Sequence, residues 1–320
     1  MASDRSLMLV RLAELYYEQE LSQREIADLL NLSRPMVSRM LAEARARGIV
    51  TITINRPINH RDDLGRQLET RFGLRDAVVV PVADTETERG LVGAATAQYL
   101  HTRMTNGMVI GLSWGRDLNE MVSAFTALPL DDVIVVQLAG GLGEGDPTSD
   151  GPSIAREFAA KVRGTVRYLF APTVVDSRET RDALVAQAQI SQTLECASDL
   201  DVAITGVGAL EDTASTLARA GYLSDRERAS LIGAGGVAHV LGYVISNSGD
   251  VVDHPYNARV VAAPLDHLRR ARLSIGVAAT EAKARAVEAA LHSGVFDVLI
   301  TSESVASELL RLDPKGVVGQ

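Results

Sequence analysis

Two stretches of the chain, and a few scattered carboxylates, carry residue types from which chemistry could be built. Ser33-Arg34-Pro35-Met36-Val37-Ser38-Arg39 places two arginines and two hydroxyls within seven positions. Arginine forks and serine hydroxyls meet the phosphate oxygens and base edges of duplex DNA. Ser33, Arg34, Pro35, Met36, Ser38 and Arg39 are therefore candidate contacts to a nucleic acid. A plain three-helix packing module with a solvated arginine face would also fit. Gly111-Leu112-Ser113-Trp114-Gly115-Arg116 spaces two glycines around a hydroxyl and ends on a cation. At the start of a helix this lets backbone N–H groups face an anion, although taken alone the run also reads as an ordinary strand-to-helix turn. Acid–base catalysis needs a general base held against a substrate. Asp117, Glu144, Asp146 and Asp253 are available, but none sits in a recognisable acid–base pair.

The elements that must position these residues follow from periodicity. Leu7 to Tyr17 has helical apolar spacing, and Ser22 with Glu25 forms an S-x-x-E capping box that opens a second helix. Asn31 falls in a tight turn, where a left-handed backbone is needed and asparagine is tolerated. Ala27 falls where two helices approach closely, and Leu32, Val37 and Met40 fall on the inward face. Ser33 begins a third helix that runs to about Arg47 and ends at Gly48, with Pro35 in its first turn, where a missing N–H costs little. Residues 49–54 alternate β-branched side chains as a strand does. Three helices and a β-ribbon in residues 1–56 predict a winged helix-turn-helix, whose third helix would enter the major groove of DNA.

After a linker at Arg56-Pro57-Ile58-Asn59 the period changes. Strand-like runs at 76–81, 107–111, 132–138, 165–170, 200–205, 239–245, 272–277 and 295–300 mostly alternate with helical patterns. Residues 57–320 therefore read as a Rossmann-like α/β domain, a parallel sheet wrapped by helices. Ligands of such sheets bind beyond the carboxyl ends of the strands, near a topological switch, which is where the 111–116 run would lie.

Composition narrows the classes. The 320 residues hold 32 Lys and Arg against 41 Asp and Glu, for a net charge of −9, which argues against a surface coated for nucleic acid. The charge is uneven: window 24–56 has six arginines against three acids. A small basic module on an acidic body points to local DNA contact. The single cysteine, Cys196, cannot form an internal disulfide, and six scattered histidines show no ligand spacing, so neither a metal site nor a cofactor is expected. No apolar run approaches the ~18 residues of a membrane span, and the polar start Met-Ala-Ser-Asp-Arg lacks an apolar signal core. A cytoplasmic location with no membrane partner is the expectation.

The motifs, taken in order, resemble the SorC family of sugar-responsive bacterial transcription regulators. They are Leu-Ser-Gln-Arg-Glu-Ile-Ala (21–27), Leu-Ser-Arg-Pro-Met-Val-Ser-Arg-Met-Leu (32–41), Gly-Leu-Ser-Trp-Gly-Arg (111–116), Val-Val-Gln-Leu-Ala-Gly-Gly (135–141), Asp-His-Pro-Tyr-Asn-Ala-Arg (253–259), Ile-Gly-Val-Ala-Ala-Thr-Glu-Ala-Lys-Ala (275–284) and Leu-Ile-Thr-Ser-Glu-Ser-Val-Ala (299–306). The resemblance implies an effector domain similar in fold to sugar-phosphate isomerases and deaminases. It also implies a carbohydrate-derived, usually phosphorylated effector, operator DNA as partner, and a homodimer or homotetramer. It implies an effector site drawn from Ser113, Trp114, Gly115, Arg116, Gln137, Gly140, Gly141, His239, Asp253, Arg259 and Lys283. The chain departs from the pattern at Asp117, where many members carry threonine, and at Ala139, His239, Ser246 and Thr280. An anion at 117 would repel a phosphate unless Arg116 or Lys283 compensates. The expected function is an effector-controlled DNA-binding regulator without catalysis. A sugar-phosphate isomerase or deaminase carrying a helix-turn-helix appendage is the alternative.

Overall fold

A computed structural model describes residues 2–17, 19, 21–50, 63–81, 87–143, 150–211 and 216–312. The backbone divides into two units, Met1–Pro57 and Ile58–Gln320.

The first unit is built from α1 (Ala2–Tyr17), α2 (Gln23–Leu30) and α3 (Arg34–Ala46). Its core collects Leu9, Leu12, Leu15, Ile26, Ala27, Val37, Met40, Leu41 and Ala44, each on the inward stripe of its helix. Ser22 caps α2, accepting from the Glu25 N–H at 3.3 Å while the Glu25 carboxylate takes the Ser22 N–H at 2.8 Å. Asn31 then turns the chain with φ 52° and ψ 44°, in the left-handed region. The Ser33 carbonyl accepts from the Met36 and Val37 N–H groups and opens α3. Gly48, at φ 69°, follows the end of that helix. Most of the predicted strand at 49–54 and the linker at 56–59 lie outside the described residues.

In the second unit, α4 (Asp63–Phe72) leads to β1 (Asp76–Val80), α5 (Glu88–His101), β2 (Val109–Leu112), α6 (Arg116–Ala124), β3 (Ile134–Gln137), α7 (Gly151–Val162) and β4 (Thr165–Arg167). Next come α8 (Arg178–Val185), α9 (Ala188–Cys196), β5 (Val202–Gly206), β6 (Gly208–Ala209), α10 (Thr216–Arg219), α11 (Asp225–Gly233), β7 (Gly236–Val240) and β8 (Tyr243–Ser246). The chain closes with α12 (Leu265–Arg270), β9 (Ser274–Ala278), α13 (Ala284–His292), β10 (Val298–Ser302) and α14 (Glu303–Arg311).

Seven strands form one all-parallel sheet in the order β1-β10-β9-β5-β2-β3-β4. Alternate residues of each strand serve opposite faces, as the two-residue period demands. Ile110, Leu112, Val135, Ile204 and Ile300 join Val92, Leu100, Leu118, Met121 and Phe158 of α5, α6 and α7. Val136, Ala203 and Leu299 join Leu68, Val287, Leu291 and Leu309 of α4, α13 and α14. A sheet covered on both faces needs the near-continuous apolar strands seen here, and β9 and β10 are buried along their whole lengths.

One predicted strand is corrected. Residues 239–245 do not enter the parallel sheet. They span an antiparallel hairpin, β7 and β8, whose turn is Leu241-Gly242 with φ 53° and 90°. Two positive φ values in a row suit the twist of a two-residue hairpin. With β6 these strands make a separate three-stranded sheet.

Candidate functional site

In the first unit the geometry of α3 decides what it can touch. Val37, Met40, Leu41 and Ala44 are buried against α1 and α2, so the opposite face is left to solvent. Ser33, Arg34, Pro35, Met36, Ser38 and Arg39 are all exposed. Charge is sorted along the same helix. Glu43 takes the Arg5 guanidinium in two hydrogen bonds, of 3.1 and 2.7 Å, and pairs with Arg47 at 2.6 Å. Among the described residues, neither Arg34 nor Arg39 has an ion-pair partner, and Arg39 Nε reaches only the Pro35 carbonyl at 3.3 Å. The N-terminal half of α3 thus offers uncompensated guanidinium groups and hydroxyls on one face, which is the chemistry that meets phosphate and base edges.

In the second unit the chain reverses its direction of travel across the sheet at β2 and β5. These strands are neighbours, with Leu112 opposite Ile204. After β2 the chain builds outward through β3 and β4; after β5 it builds the other way through β9 and β10. A crevice opens at the carboxyl ends of two strands whose connections diverge. Ser113 ties those ends together: its N–H donates to the Ile204 carbonyl at 3.2 Å, and its Oγ accepts from the Gly206 N–H at 3.3 Å.

A pocket of about 50 Å³ lies in this crevice, lined by Ser113 to Leu118, Gly206 to Ala209, His239, Leu241 and Lys283. Gly115 makes the turn into α6 at φ 125° and ψ 159°, a region essentially reserved for glycine. It occupies the N-cap without a side chain to cap the first N–H groups, so the α6 N-terminus opens on the pocket with its partial positive charge.

Asp117 stands in that first turn with only 3% of its surface exposed. Its Oδ1 accepts from Arg89 Nε at 2.7 Å and its Oδ2 from Lys283 Nζ at 2.6 Å. Burial pushes the carboxyl up, but the charges and hydrogen bonds of Lys283 and Arg89 outweigh it and hold Asp117 below the usual carboxylate range. Lys283 reaches it from the short 3₁₀ turn Glu281–Lys283 that precedes α13. Arg89 comes from the first turn of α5 and was missed in the sequence. No local motif marks it, since only the packing of α5 on α6 brings it to Asp117.

Of the eleven predicted effector residues, the pocket gathers Ser113, Trp114, Gly115, Arg116, His239 and Lys283. The other five lie outside its lining. The Gln137 amide is buried and spent on backbone, donating to the Ala139 carbonyl at 2.7 Å and accepting from the Leu169 N–H at 3.2 Å. Gly140 is required by packing: a Cβ there would lie 2.5 Å from the Ala171 and Pro172 carbonyl oxygens. The Gly141 N–H bonds the Ala171 carbonyl, and its own carbonyl takes the Thr173 N–H and Tyr222 hydroxyl. Asp253 is exposed and does not line the pocket. Arg259 forms an ion pair with Glu227 and stacks on Tyr256 at 5.4 Å. Glu144 and Asp146 lie outside the described residues.

Among the described residues no group of three or more His, Cys, Asp or Glu could hold a metal, and no helix is long and apolar enough to cross a membrane.

Comparisons with known proteins agree with both units. A family model for a sugar-binding domain matches residues 56–311, and one for a Crp-like helix-turn-helix domain matches residues 7–64. The chain is 31% identical over 320 residues to the sorbitol operon regulator of Klebsiella pneumoniae, covering 97% of this chain and 99% of that protein. It is 29% identical over 313 residues to the deoxyribonucleoside regulator of Bacillus subtilis, with the same coverage. The crystal structure of the full-length sorbitol operon regulator SorC from Klebsiella pneumoniae superposes with a TM-score of 0.72 at 29% identity, over 96% of this chain and 99% of that one. With an N-terminal helix-turn-helix followed by a sugar-binding α/β domain on a parallel sheet, the chain belongs to the SorC family of sugar-responsive, DNA-binding transcriptional regulators.

Proposed function

We propose that this regulator reads its operator with the N-terminal half of α3 and is controlled from the pocket at the ends of β2 and β5. Arg34 and Arg39 contact bases or phosphates, Ser33 and Ser38 add hydrogen bonds, and Pro35 and Met36 lie against the groove. A carbohydrate-derived effector sits against Ser113, Trp114, Gly115, Arg116, His239 and Lys283. The observation that carries this reading is the convergence of the uncapped α6 N-terminus, Arg116 and Lys283 on one crevice at the topological switch.

Control is linkage: an effector that binds one conformation better than another shifts the population and with it the operator affinity. The active species is a homodimer or homotetramer, so that two recognition helices meet half-sites about 34 Å, or a multiple of that, apart. The protein works in the cytoplasm and does no catalysis. In support, the one carboxylate in the pocket is locked between Arg89 and Lys283 and so is poorly placed to accept a substrate proton.

The test is operator release by carbohydrates, measured as fluorescence anisotropy of labelled DNA. Lys283→Ala keeps wild-type operator affinity in the absence of carbohydrate and shifts the dose–response to at least tenfold higher concentration. An unchanged dose–response removes Lys283 from the effector site.

A further inference from the structure

The resemblance implies a phosphorylated effector, but the pocket already holds an anion of its own. Asp117 occupies the first turn of α6, the place where the helix N-terminus would draw a ligand's negative charge. Two of the surrounding cations are committed to it, Arg89 at 2.7 Å and Lys283 at 2.6 Å. Arg116 is the remaining cation lining the pocket, and it has no ion-pair partner among the described residues. A phosphate ester dianion entering here would lie beside a buried carboxylate that cannot leave without stranding its charge.

A hydroxylated ligand meets a different environment. An ionised carboxylate offers about four lone-pair positions, and the hydrogen bonds from Arg89 and Lys283 use one on each oxygen. The remaining positions suit the paired donors of neighbouring hydroxyls, in charge-assisted hydrogen bonds. Arg116 can balance one negative charge but not two.

We infer that Asp117 restricts this site to an unphosphorylated, polyhydroxylated ligand, a sugar or sugar acid carrying at most one negative charge. This rests on the pocket being the effector site. Asp117 is thereby a specificity-determining residue: it rejects dianions by charge and selects hydroxyl donors.

The experiment is isothermal titration calorimetry on the full-length chain at pH 8, with inorganic phosphate and then with glucose, gluconate and glucose 6-phosphate as a matched series of rising charge. Asp117→Asn is expected to bind inorganic phosphate at least tenfold more tightly than wild type, while Asp117→Glu, which keeps the charge, shows no gain. The Asn gain is lost on adding Arg116→Ala. Wild type is expected to bind glucose 6-phosphate no better than glucose or gluconate, an arm that needs no variant to fold. Phosphate binding by wild type equal to or tighter than by Asp117→Asn overturns the inference, as does failure of both to bind phosphate. Tighter wild-type binding of glucose 6-phosphate than of glucose and gluconate, abolished by Arg116→Ala, overturns the charge limit and leaves the pocket as effector site. A phosphate gain in Asp117→Asn that survives Arg116→Ala and Lys283→Ala together places the anion elsewhere, and then the reading of the pocket fails along with the inference.

Discussion

At the scale of single residues, a buried charge must be paired or it will not stay charged. Asp117 is ionised because Lys283 and Arg89 hold it so, and its folded pKa lies below the ordinary value. The sign of its contribution follows: the stabilisation is fully present above the unfolded pKa and is lost as pH falls through the folded one. Resistance of wild type to urea should therefore weaken as pH drops below about 4, near the unfolded Asp pKa, and Asp117→Asn should lose that part of the acid sensitivity. An identical acid profile in the variant removes Asp117 as a source. Removing the carboxylate outright is harsher, because two cations lose their partner: Asp117→Ala should cost about 3 kcal/mol in the same assay. Sequence reading found Lys283 and suspected its role against Asp117. It could not find Arg89, because nothing around that position marks its destination. Arg259 matches a family motif but also fits a salt bridge on sequence grounds, and its guanidinium pairs with Glu227.

At the scale of elements, turns and caps decide where the functional side chains point. The Ser22–Glu25 box and the left-handed Asn31 were legible because both are local: each depends on residue types within four positions. They also fix the angle at which α3 leaves α2. Loss of the cap in Ser22→Ala should lower stability by about 1 kcal/mol, measurable as a lower urea midpoint for the helical unit. The hairpin at 239–245 was not legible as a hairpin. His239, Val240, Tyr243, Val244 and Ile245 favour strand continuously, and Leu241, at φ 53°, gives no sign of the turn that Gly242 completes. Gly115 is the other decisive turn. Its φ of 125° denies the position to any residue with a Cβ, although open space surrounds it. Gly115→Ala should therefore cost about 1–3 kcal/mol through backbone strain and weaken the effector response, while operator binding persists. Unchanged stability and response would mean that the turn does not set the pocket.

At the scale of the whole molecule, the fold class could be read from the alternation of strand and helix, because a sheet buried on both faces leaves apolar runs that charged helix surfaces interrupt. Strand order could not be read, since pairing of β5 between β9 and β2 is settled by packing between distant segments. That order creates the switch at β2 and β5 and so brings residues 89, 117 and 283 together. It also explains why Gln137 and the Gly140-Gly141 pair, at the end of the next strand, fall outside the pocket: their polar groups close the packing between that strand end and the 169–173 segment. The central claim is that this chain is an effector-controlled regulator whose operator is read by the exposed face of α3. It is tested most directly by fluorescence anisotropy of the full-length protein on DNA from upstream of its own operon, against scrambled DNA of equal length, with Arg34→Ala/Arg39→Ala beside wild type and circular dichroism to check folding. Wild type should prefer the upstream DNA at moderate salt, where non-specific binding falls away steeply, and the double variant should fold but lose the preference. A folded double variant that keeps wild-type preference contradicts the account.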